Sequence, residues 1–552
     1  MTTEYATWHH PYTPDAKYSK RAAYFSMEFA IHQSLKIYSG GLGYLAGSHM
    51  RSAFELKQNM IGIGILWKYG YYDQVRDEEG HMRPQFIRKN YPFLVETGIK
   101  VTVEINQHLV YVKAFCLKPD TFNTVPVYLL STDIPENDHL SRTITERLYD
   151  GNNITRIAQQ IVLGVGGAKV VESLGGTDIY HMNESHALPL LFHLYQQHGK
   201  SVEEVKKCFV FTTHTPEKAG NEEHNIHDLN NLGFFGNIPL DEVKRITGMT
   251  SDTFGHTPAA LHFAKIANGV SQMHAVVSTD MWKDYPNIPE IIGITNAQNF
   301  NFWADKQMYE ALGRNDDAFI LLRKKERKHD AFKIVADQCG KLFSSNVLTI
   351  VWARRYAGYK RADLLLRDID RMEKFLNNVQ YPVQIIWAGK PYPLDQFAIS
   401  TFNHLVEFGR ERANVAVLTG YELHLSRKLK EAADVWLNTP RITREASGTS
   451  GMTAAMNGAV SVSIPDGWIP EFARNGENCF VTPITDYTLP VSQQDDIDYE
   501  NIMQILENSV MPIYYDNPKR WAEIVMNGLR EVVPAFESGR MAAEYYERMY
   551  NV

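Results

Sequence analysis

Apolar residues fall in short blocks along this chain, and a polar loop follows almost every block. The first block, Ala23-Tyr24-Phe25-Ser26-Met27-Glu28-Phe29-Ala30, leads into Ile37-Tyr38-Ser39-Gly40-Gly41-Leu42-Gly43-Tyr44-Leu45-Ala46-Gly47. This order predicts a buried strand, a glycine-rich loop and a helix. Met60 to Trp67 predicts a second buried strand, and the aromatic stretch Lys68 to Gln74 behind it is read as core, as most such clusters are, with ring faces on which sugars could stack as the second reading. From about residue 98 to 132 the pattern turns to alternation, as in Val101 to Ile105 and Leu109 to Lys113, which predicts an antiparallel insert apart from the main sheet. Ile157 to Leu174 predicts a long helix in which Gly164, Gly166 and Gly167 allow close packing. No strand precedes those glycines, so they are not a dinucleotide fingerprint. Asp178 to His186 and Cys208 to Gly220 predict parallel strands that end in polar residues, and Asn268 to His274 and Ile291 to Asn299 repeat that style.

The second half opens on a hydrophilic helical stretch, Asp305 to Phe343, whose charge run Arg323-Lys324-Lys325-Glu326-Arg327-Lys328-His329 is expected to face solvent. Strands are then predicted from Val347, over Val383 to Trp387, Val415 to Leu418 and Val435 to Leu437, each running into a polar loop. The C-terminal stretch predicts helices packed through Tyr514, Tyr515, Trp521 and Phe536. The expected class is α/β. Its expected divisions are an N-terminal Rossmann-like domain (1–295) with the antiparallel insert, a helical linker (296–345), a C-terminal Rossmann-like domain (346–515) and terminal helices (516–552) with room to cross back.

Composition narrows the function. A chain of 552 residues exceeds one ordinary core, since domains run to ~100–200 residues. A formal net charge of -8 and a pI near 6.2 exclude a typical nucleic-acid binder, which needs a basic face. The 4 cysteines are scattered with no CxxC pair, so neither a disulfide framework nor a zinc site is indicated. The N-terminus lacks an apolar h-region and no apolar run is long enough to span a bilayer, so a cytoplasmic protein without a membrane partner is expected.

Candidate chemistry gathers in the strand-end loops. Arg444 to Gly458, closed by Asp466-Gly467-Trp468, reads as a turn of small residues before a helix. The amides of Thr449, Ser450 and Gly451 would suit an anion, and Glu445 could hold hydroxyls. Gly40 and Gly41 offer a second loop of close-approach amides. Glu184 and His214 stand at strand ends, where open α/β sheets bind ligands. His181 and His186 lie five apart rather than in HExxH spacing, and no metal is expected. Arg355 and Lys360 could meet the charge of a phosphoryl or pyrophosphoryl leaving group.

The motifs YSGGLGYLAG, HMNESHA, FTTHTPEKAG, RRYAGYKRADLL, WAGKPYP, DVWLNTPR and EASGTSGM occur in the order found in the α-glucan (glycogen, starch and maltodextrin) phosphorylases, and from Tyr24 to Gly476 the chain resembles the short bacterial branch of that family. The resemblance implies a GT-B architecture, two Rossmann-like domains facing a cleft. It also implies retaining transfer of glucose between an α-1,4-glucan and an anionic partner. Carried over by position, Arg355 and Lys360 would bind phosphate or the phosphate of glucose-1-phosphate, with Gly40 and Gly41 beside it. The His214 carbonyl would face the oxocarbenium-like centre. Asn183, Glu184, Glu445, Ala446, Ser447 and Gly448 would hold sugar. Homodimers are common in the family.

Two positions depart from the family pattern. Thr453 stands where the family's lysine binds pyridoxal phosphate as a Schiff base, and Ala297-Gln298-Asn299 replaces a typical Gly-Val-His. Threonine carries no amine, so covalent attachment is impossible at that position. Thr453 also lies eight residues after Glu445, the place of a ribose-binding carboxylate in nucleotide-sugar enzymes such as glycogen synthases. A nucleotide-sugar (ADP- or UDP-glucose) transferase and a catalytically silent glucan-binding protein are therefore the competing expectations.

Overall fold

The computed structural model describes residues 4–552. Two compact units form: one from the residues up to Tyr71 with Phe86–Asn296 and Ser538–Val552, the other from Tyr72–Gln85 with Ala297–Glu537. The Tyr72–Gln85 segment and the last residues thus each join the unit that is distant from them in sequence.

In the first unit the strands are β1 Ala22–Phe25, β2 Met60–Ile65, β3 Val95–Ile105, β4 His108–Leu117, β5 Val127–Ser131, β6 Ile179–Asn183, β7 Phe209–Thr212, β8 Ile266–Gly269 and β9 Ile291–Gly293. They form one sheet in the order β9-β8-β7-β6-β1-β2-β5-β4-β3. All neighbours from β9 to β5 run parallel, and the strand order reverses between β1 and β6. This is the doubly wound arrangement, in which loops leaving the reversal point part and open a crevice. Continuous burial of β1, β2, β5 and β6 agrees with helices covering both faces.

The alternating stretch does not form a separate insert. β4 pairs antiparallel with both β5 and β3, so the hairpin extends the main sheet to its edge. Alternation reports burial on one face only, and an edge hairpin has that property as fully as an insert does. The long helix forms as Asn153–Ile161 and Gly167–Ser173 joined through a wider turn at Val162–Gly166. A Cβ on Gly164 would stand 2.6 Å from the Ala187 carbonyl oxygen, and one on Gly167 2.6 Å from the Phe25 ring, so the close packing is realised. Helix Ser538–Tyr545 and the residues after it seal this unit: Ser538 shares a hydrogen bond with Ser52 (2.6 Å) and Tyr550 with His181 Nδ1 (2.6 Å).

The second unit holds β10 Leu348–Ala353, β11 Val383–Ala388, β12 Val415–Leu418, β13 Val435–Asn438, β14 Val460–Ser463 and β15 Phe480–Val481. All pairs are parallel, in the order β12-β11-β10-β13-β14-β15, with the reversal between β10 and β13. Of the two readings of the aromatic loop, Tyr71 and Tyr72 follow the core one: Tyr72 donates to the Pro391 carbonyl (2.7 Å), and Gln74 links the Gly389 carbonyl to the Gly420 amide (each 3.0 Å). The 296–345 stretch contributes helix Asp317–Cys339, whose Phe332 and Val335 join the core of this unit.

Its charge run is a solvated face only in part, with Lys325, Glu326 and His329 exposed. Lys324 and Lys328 point inward, Lys324 donating to the carbonyls of Glu431 (3.0 Å) and Asn457 (2.7 Å), and Lys328 pairing with Asp434 at 2.5 Å. Arg323 and Arg327 both hold Asp305. The 3.6-residue period puts positions 324, 328, 331 and 335 on one stripe, and the long lysines at its start reach carbonyls that would otherwise be buried unbonded. Burial holds the Lys328 ammonium below its usual range and Asp434 opposes that shift. Replacing Lys328 by Met should leave Asp434 buried without its cation and destabilise the protein by ~3–5 kcal/mol, read as a lowered denaturation midpoint. An unchanged midpoint would show that the pair contributes nothing net.

Candidate functional site

In the first unit the loops after β1 and β6, which part at the reversal point, are tied by buried carboxylates. Glu28, an acid inside an apolar run, is 2% exposed. Its Oε2 accepts from the amides of Ser39 (2.6 Å) and Gly40 (3.1 Å), and its Oε1 from the Tyr149 hydroxyl (2.8 Å). Burial raises its pKa, opposed by those donors. Glu28 thereby sets the path of the glycine loop into helix Gly41–Glu55. Gly40 and Gly41 have open space where a Cβ would stand, whereas Gly43 would meet Glu28 and Gly47 would meet the Ala30 carbonyl at 2.0 Å. The first two glycines are therefore free for a ligand's close approach, and the next two serve packing.

Glu184 closes β6 at φ 67°, ψ 168°, a conformation that costs a non-glycine residue ~1–3 kcal/mol. Its carboxylate compensates by accepting from the amides of Ser185 (3.2 Å) and His214 (2.8 Å) and from the Thr215 hydroxyl (3.2 Å). The His214 Nε2–H donates to Asn183 Oδ1 (2.6 Å), Asn183 donates to Ser26 Oγ (3.2 Å), and Ser26 donates to the Glu28 carbonyl (2.9 Å). Burial pushes the His214 pKa down to about 3, so its imidazole is neutral and acts by position. The sequence-predicted Gly40, Asn183, Glu184 and His214 are thus joined in one network, with Gly41 next to Gly40 at the start of the helix. Glu28, Ser26 and Tyr149 are added to it, and Glu28 was signalled by a lone acid in an apolar block.

In the second unit the loops after β10 and β13 do the same work. Lys360 Nζ and Glu445 Oε2 form an ion pair of 2.6 Å, both side chains mostly buried. Arg355 is exposed, whereas Arg354 is buried and directed at Asn438 and the Leu437 carbonyl, back into the sheet. Arg361 fastens the two loops: it donates to the carbonyls of Thr439 (2.9 Å) and Pro440 (2.8 Å) and pairs with Asp498 (2.7 Å). Asp466 accepts from the amides of Glu445 and Gly467 (both 2.9 Å). Gly467, at φ 64°, lies so close to the Ser447 carbonyl that a Cβ would stand 2.1 Å from it. Ala446 and Ser447 are buried, and the Ser447 hydroxyl has no hydrogen-bond partner among the described residues.

The anion turn is more modest than expected. Helix Ser450–Ala455 has only 6 residues, Thr449 makes no side-chain cap, and Gly451 packs against the Trp468 ring. Thr453 is 0% exposed and its hydroxyl donates to the Ser450 carbonyl at 3.0 Å, within its own helix. Helix Leu423–Ala432 lies against this helix and carries Lys430, 1% exposed, with Nζ 3.9 Å from the Trp303 ring centroid. Burial, with the neighbouring Arg354 charge second, holds the Lys430 pKa well below the usual lysine range. Nothing in the periodicity marked Lys430, because a lysine on a helix ordinarily reads as surface.

Residues 318–485 match the carbohydrate phosphorylase family profile. A maltodextrin phosphorylase of Thermococcus litoralis is 32% identical, over 100% of this chain and 72% of that protein. The chain belongs to the carbohydrate phosphorylase family. A glycogen phosphorylase of Mycobacterium tuberculosis is 31% identical over 96% of this chain and 70% of its own length. An uncharacterized protein of Methanocaldococcus jannaschii is 46% identical over 96% of this chain and all of its own. The stretch Ala297-Gln298-Asn299 is held by hydrogen bonds within the second unit. The Gln298 amide donates to the Phe536 carbonyl (3.0 Å), and Asn299 caps the turn Phe300–Trp303 through the Phe302 amide (2.9 Å). Among the described residues no helix is long and apolar enough to cross a membrane, and no cluster of metal-ligating side chains occurs.

The Asp466 carboxyl has its pKa raised to about 7, chiefly by burial and then by the Glu445 charge. The folded protein therefore holds this proton more tightly than the unfolded chain, whose carboxyl titrates near ~3.9. The stability it contributes is complete at low pH and is lost as pH rises through about 7. Denaturation profiles should show this decline, and Asp466→Asn should flatten it; an unaltered slope in the variant would assign the decline elsewhere.

Proposed function

We propose that this protein is a retaining glucosyltransferase that moves glucose between the non-reducing end of an α-1,4-glucan, such as glycogen, starch or a maltooligosaccharide, and an inorganic phosphate. The observation that carries this reading is the Lys360–Glu445 pair at the reversal point of a phosphorylase-family sheet. It sets a cation for a phosphate beside a carboxylate for sugar hydroxyls.

Pyridoxal phosphate is the family's cofactor, and the residues here do not fit its covalent form. Thr453 has no amine and spends its hydroxyl on Ser450, and the amine of Lys430 is buried against Trp303. The buried Thr453 hydroxyl is equally unsuited to replace a ribose-binding carboxylate, which is why phosphate is preferred here to a nucleotide donor. The chemistry then rests on the chain's cations and on the substrate. As the glucan C1–O4 bond breaks, a phosphate oxygen bonds to C1 on the same face, and the proton of the phosphate monoanion passes to the departing O4. Arg355 and Lys360 stabilise the phosphate throughout. The His214 carbonyl faces the positive charge that develops at the anomeric centre. Glu445 and the backbone of Ala446 to Gly448 orient the glucosyl hydroxyls.

Maltoheptaose with phosphate should yield glucose-1-phosphate, and Lys360→Met should lower kcat/KM by ~10²–10³. Release of ADP or UDP from the matching glucose donors, with no phosphorolysis, would replace phosphate with a nucleotide donor. Glucan binding without turnover on any donor would leave a binding protein.

A further inference from the structure

The segment Ser538–Val552 folds with the first unit, although the residue before it belongs to the second. Besides sealing that unit, it feeds a chain of buried hydrogen bonds that the reaction above does not use. The Tyr550 hydroxyl meets His181 Nδ1 at 2.6 Å, His181 Nε2 meets Thr212 Oγ1 at 2.7 Å, and Thr212 Oγ1 meets Asn268 Oδ1 at 2.6 Å. Asn268 Nδ2 then donates to the Gly269 carbonyl (3.1 Å) and, back on the C-terminal segment, to the Tyr545 hydroxyl (3.5 Å). Tyr550, His181, Thr212, Asn268 and Tyr545 are each at most 1% exposed.

The direction of each bond follows from which atoms can donate. The Asn268 side-chain oxygen only accepts, so the single Thr212 hydroxyl proton points to it. Thr212 Oγ1 must then accept from His181 Nε2–H. A neutral imidazole carries one such proton, which leaves Nδ1 to accept from the Tyr550 hydroxyl. Burial, followed by the neighbouring His49 and His214, holds the His181 pKa well below its usual range, in keeping with a neutral ring.

The chain crosses three strands that are neighbours in the sheet, with His181 on β6, Thr212 on β7 and Asn268 on β8. Side chains two residues apart share a face of a strand, so Asn183 follows His181 on β6, and Asn183 holds the His214 ring at 2.6 Å. Across the sheet the Glu184 amide donates to the Thr212 carbonyl (2.9 Å) and the Thr213 amide to the Asn268 carbonyl (3.0 Å). The next amide, that of His214, goes to the Glu184 side chain instead (2.8 Å). At these strand ends the lateral spacing is therefore set by side chains as much as by backbone.

We propose that Tyr550 and His181 are positioning residues for the glucosyl transfer proposed above, on which this inference rests, and that through them the C-terminal segment fixes where the His214 carbonyl stands. Removing the Tyr550 hydroxyl leaves His181 Nδ1 buried without a donor, and β6 and β7 relax at the ends that carry Asn183 and His214. The His214 carbonyl faces charge that develops only in the transition state, so the loss falls on kcat. Phosphate, held by Arg355 and Lys360 in the second unit, keeps its KM.

The test compares Tyr550→Phe with Tyr546→Phe in the full chain. Tyr546 is equally buried, and its hydroxyl donates to the Lys20 carbonyl (3.0 Å), apart from the chain to His181. Tyr550→Phe should lower kcat for maltoheptaose phosphorolysis about tenfold, with the KM for phosphate within about twofold, and Tyr546→Phe should leave both unchanged. His181→Gln, whose amide accepts from Tyr550 and donates to Thr212, should retain most of the kcat that His181→Leu loses. Ring-nitrogen resonances of isotope-labelled histidines give a readout apart from activity: Tyr550→Phe should shift the His181 and His214 signals, assigned through His181→Gln and His214→Gln. Equal losses in the two tyrosine variants, an unchanged kcat in Tyr550→Phe, or a His214 signal that stays in place would overturn this positioning. A shifted His214 signal in a protein that forms no glucose-1-phosphate would uphold the coupling and overturn the proposed reaction instead.

Discussion

A carboxylate buried beneath a strand-end loop, accepting backbone N–H bonds, is the constraint on which both halves of this protein depend. Glu28 and Glu184 do this in the first unit and Asp466 in the second. In each case the acceptor lies at or beside the place where the strand order reverses. Loops there diverge from the sheet and lose the support of a neighbouring strand, so their amides need other partners. A charged acceptor in a low-dielectric setting satisfies two or three of them at once, and the cost of burying it appears as the raised pKa values of all three acids. Glu184 illustrates the balance best: a left-handed backbone is held in place by the side chain of the same residue.

The second unit adds buried cations to this scheme. Arg354, Arg361, Lys328 and Lys390 each reach a carbonyl or carboxylate, and removing either member of such a pair would strand the other. Burial disfavours the ammonium form of Lys430, and the nearby Arg354 charge adds to that shift.

Much of this was legible in the sequence. The parallel strands and their polar ends followed from apolar blocks, and β10 to β13 lie where the blocks put them. The packing role of Gly164 and Gly167 was also foreseeable from small residues inside a helical stretch. Periodicity reports which face is buried and says nothing about what covers it. Alternation alone does not distinguish an edge hairpin from a separate insert. The charges of Lys324 and Lys328 point to solvent, whereas their place on the buried stripe turns them inward. The partner of the Tyr72 hydroxyl is a backbone carbonyl far away in sequence. Contacts between residues hundreds of positions apart leave no local signature.

The Lys360–Glu445 pair also bears on the order of events in the proposed reaction. At 2.6 Å the ammonium is already neutralised, so an arriving anion must share it with the carboxylate. A sugar hydroxyl that donates to Glu445 would draw off part of that negative charge and release Lys360 toward the phosphate. Anion binding is then favoured once the glucosyl unit is seated, and by thermodynamic reciprocity the sugar is held more tightly once the anion is present. In the proposed reaction the two substrates would thereby be coupled through a single ion pair.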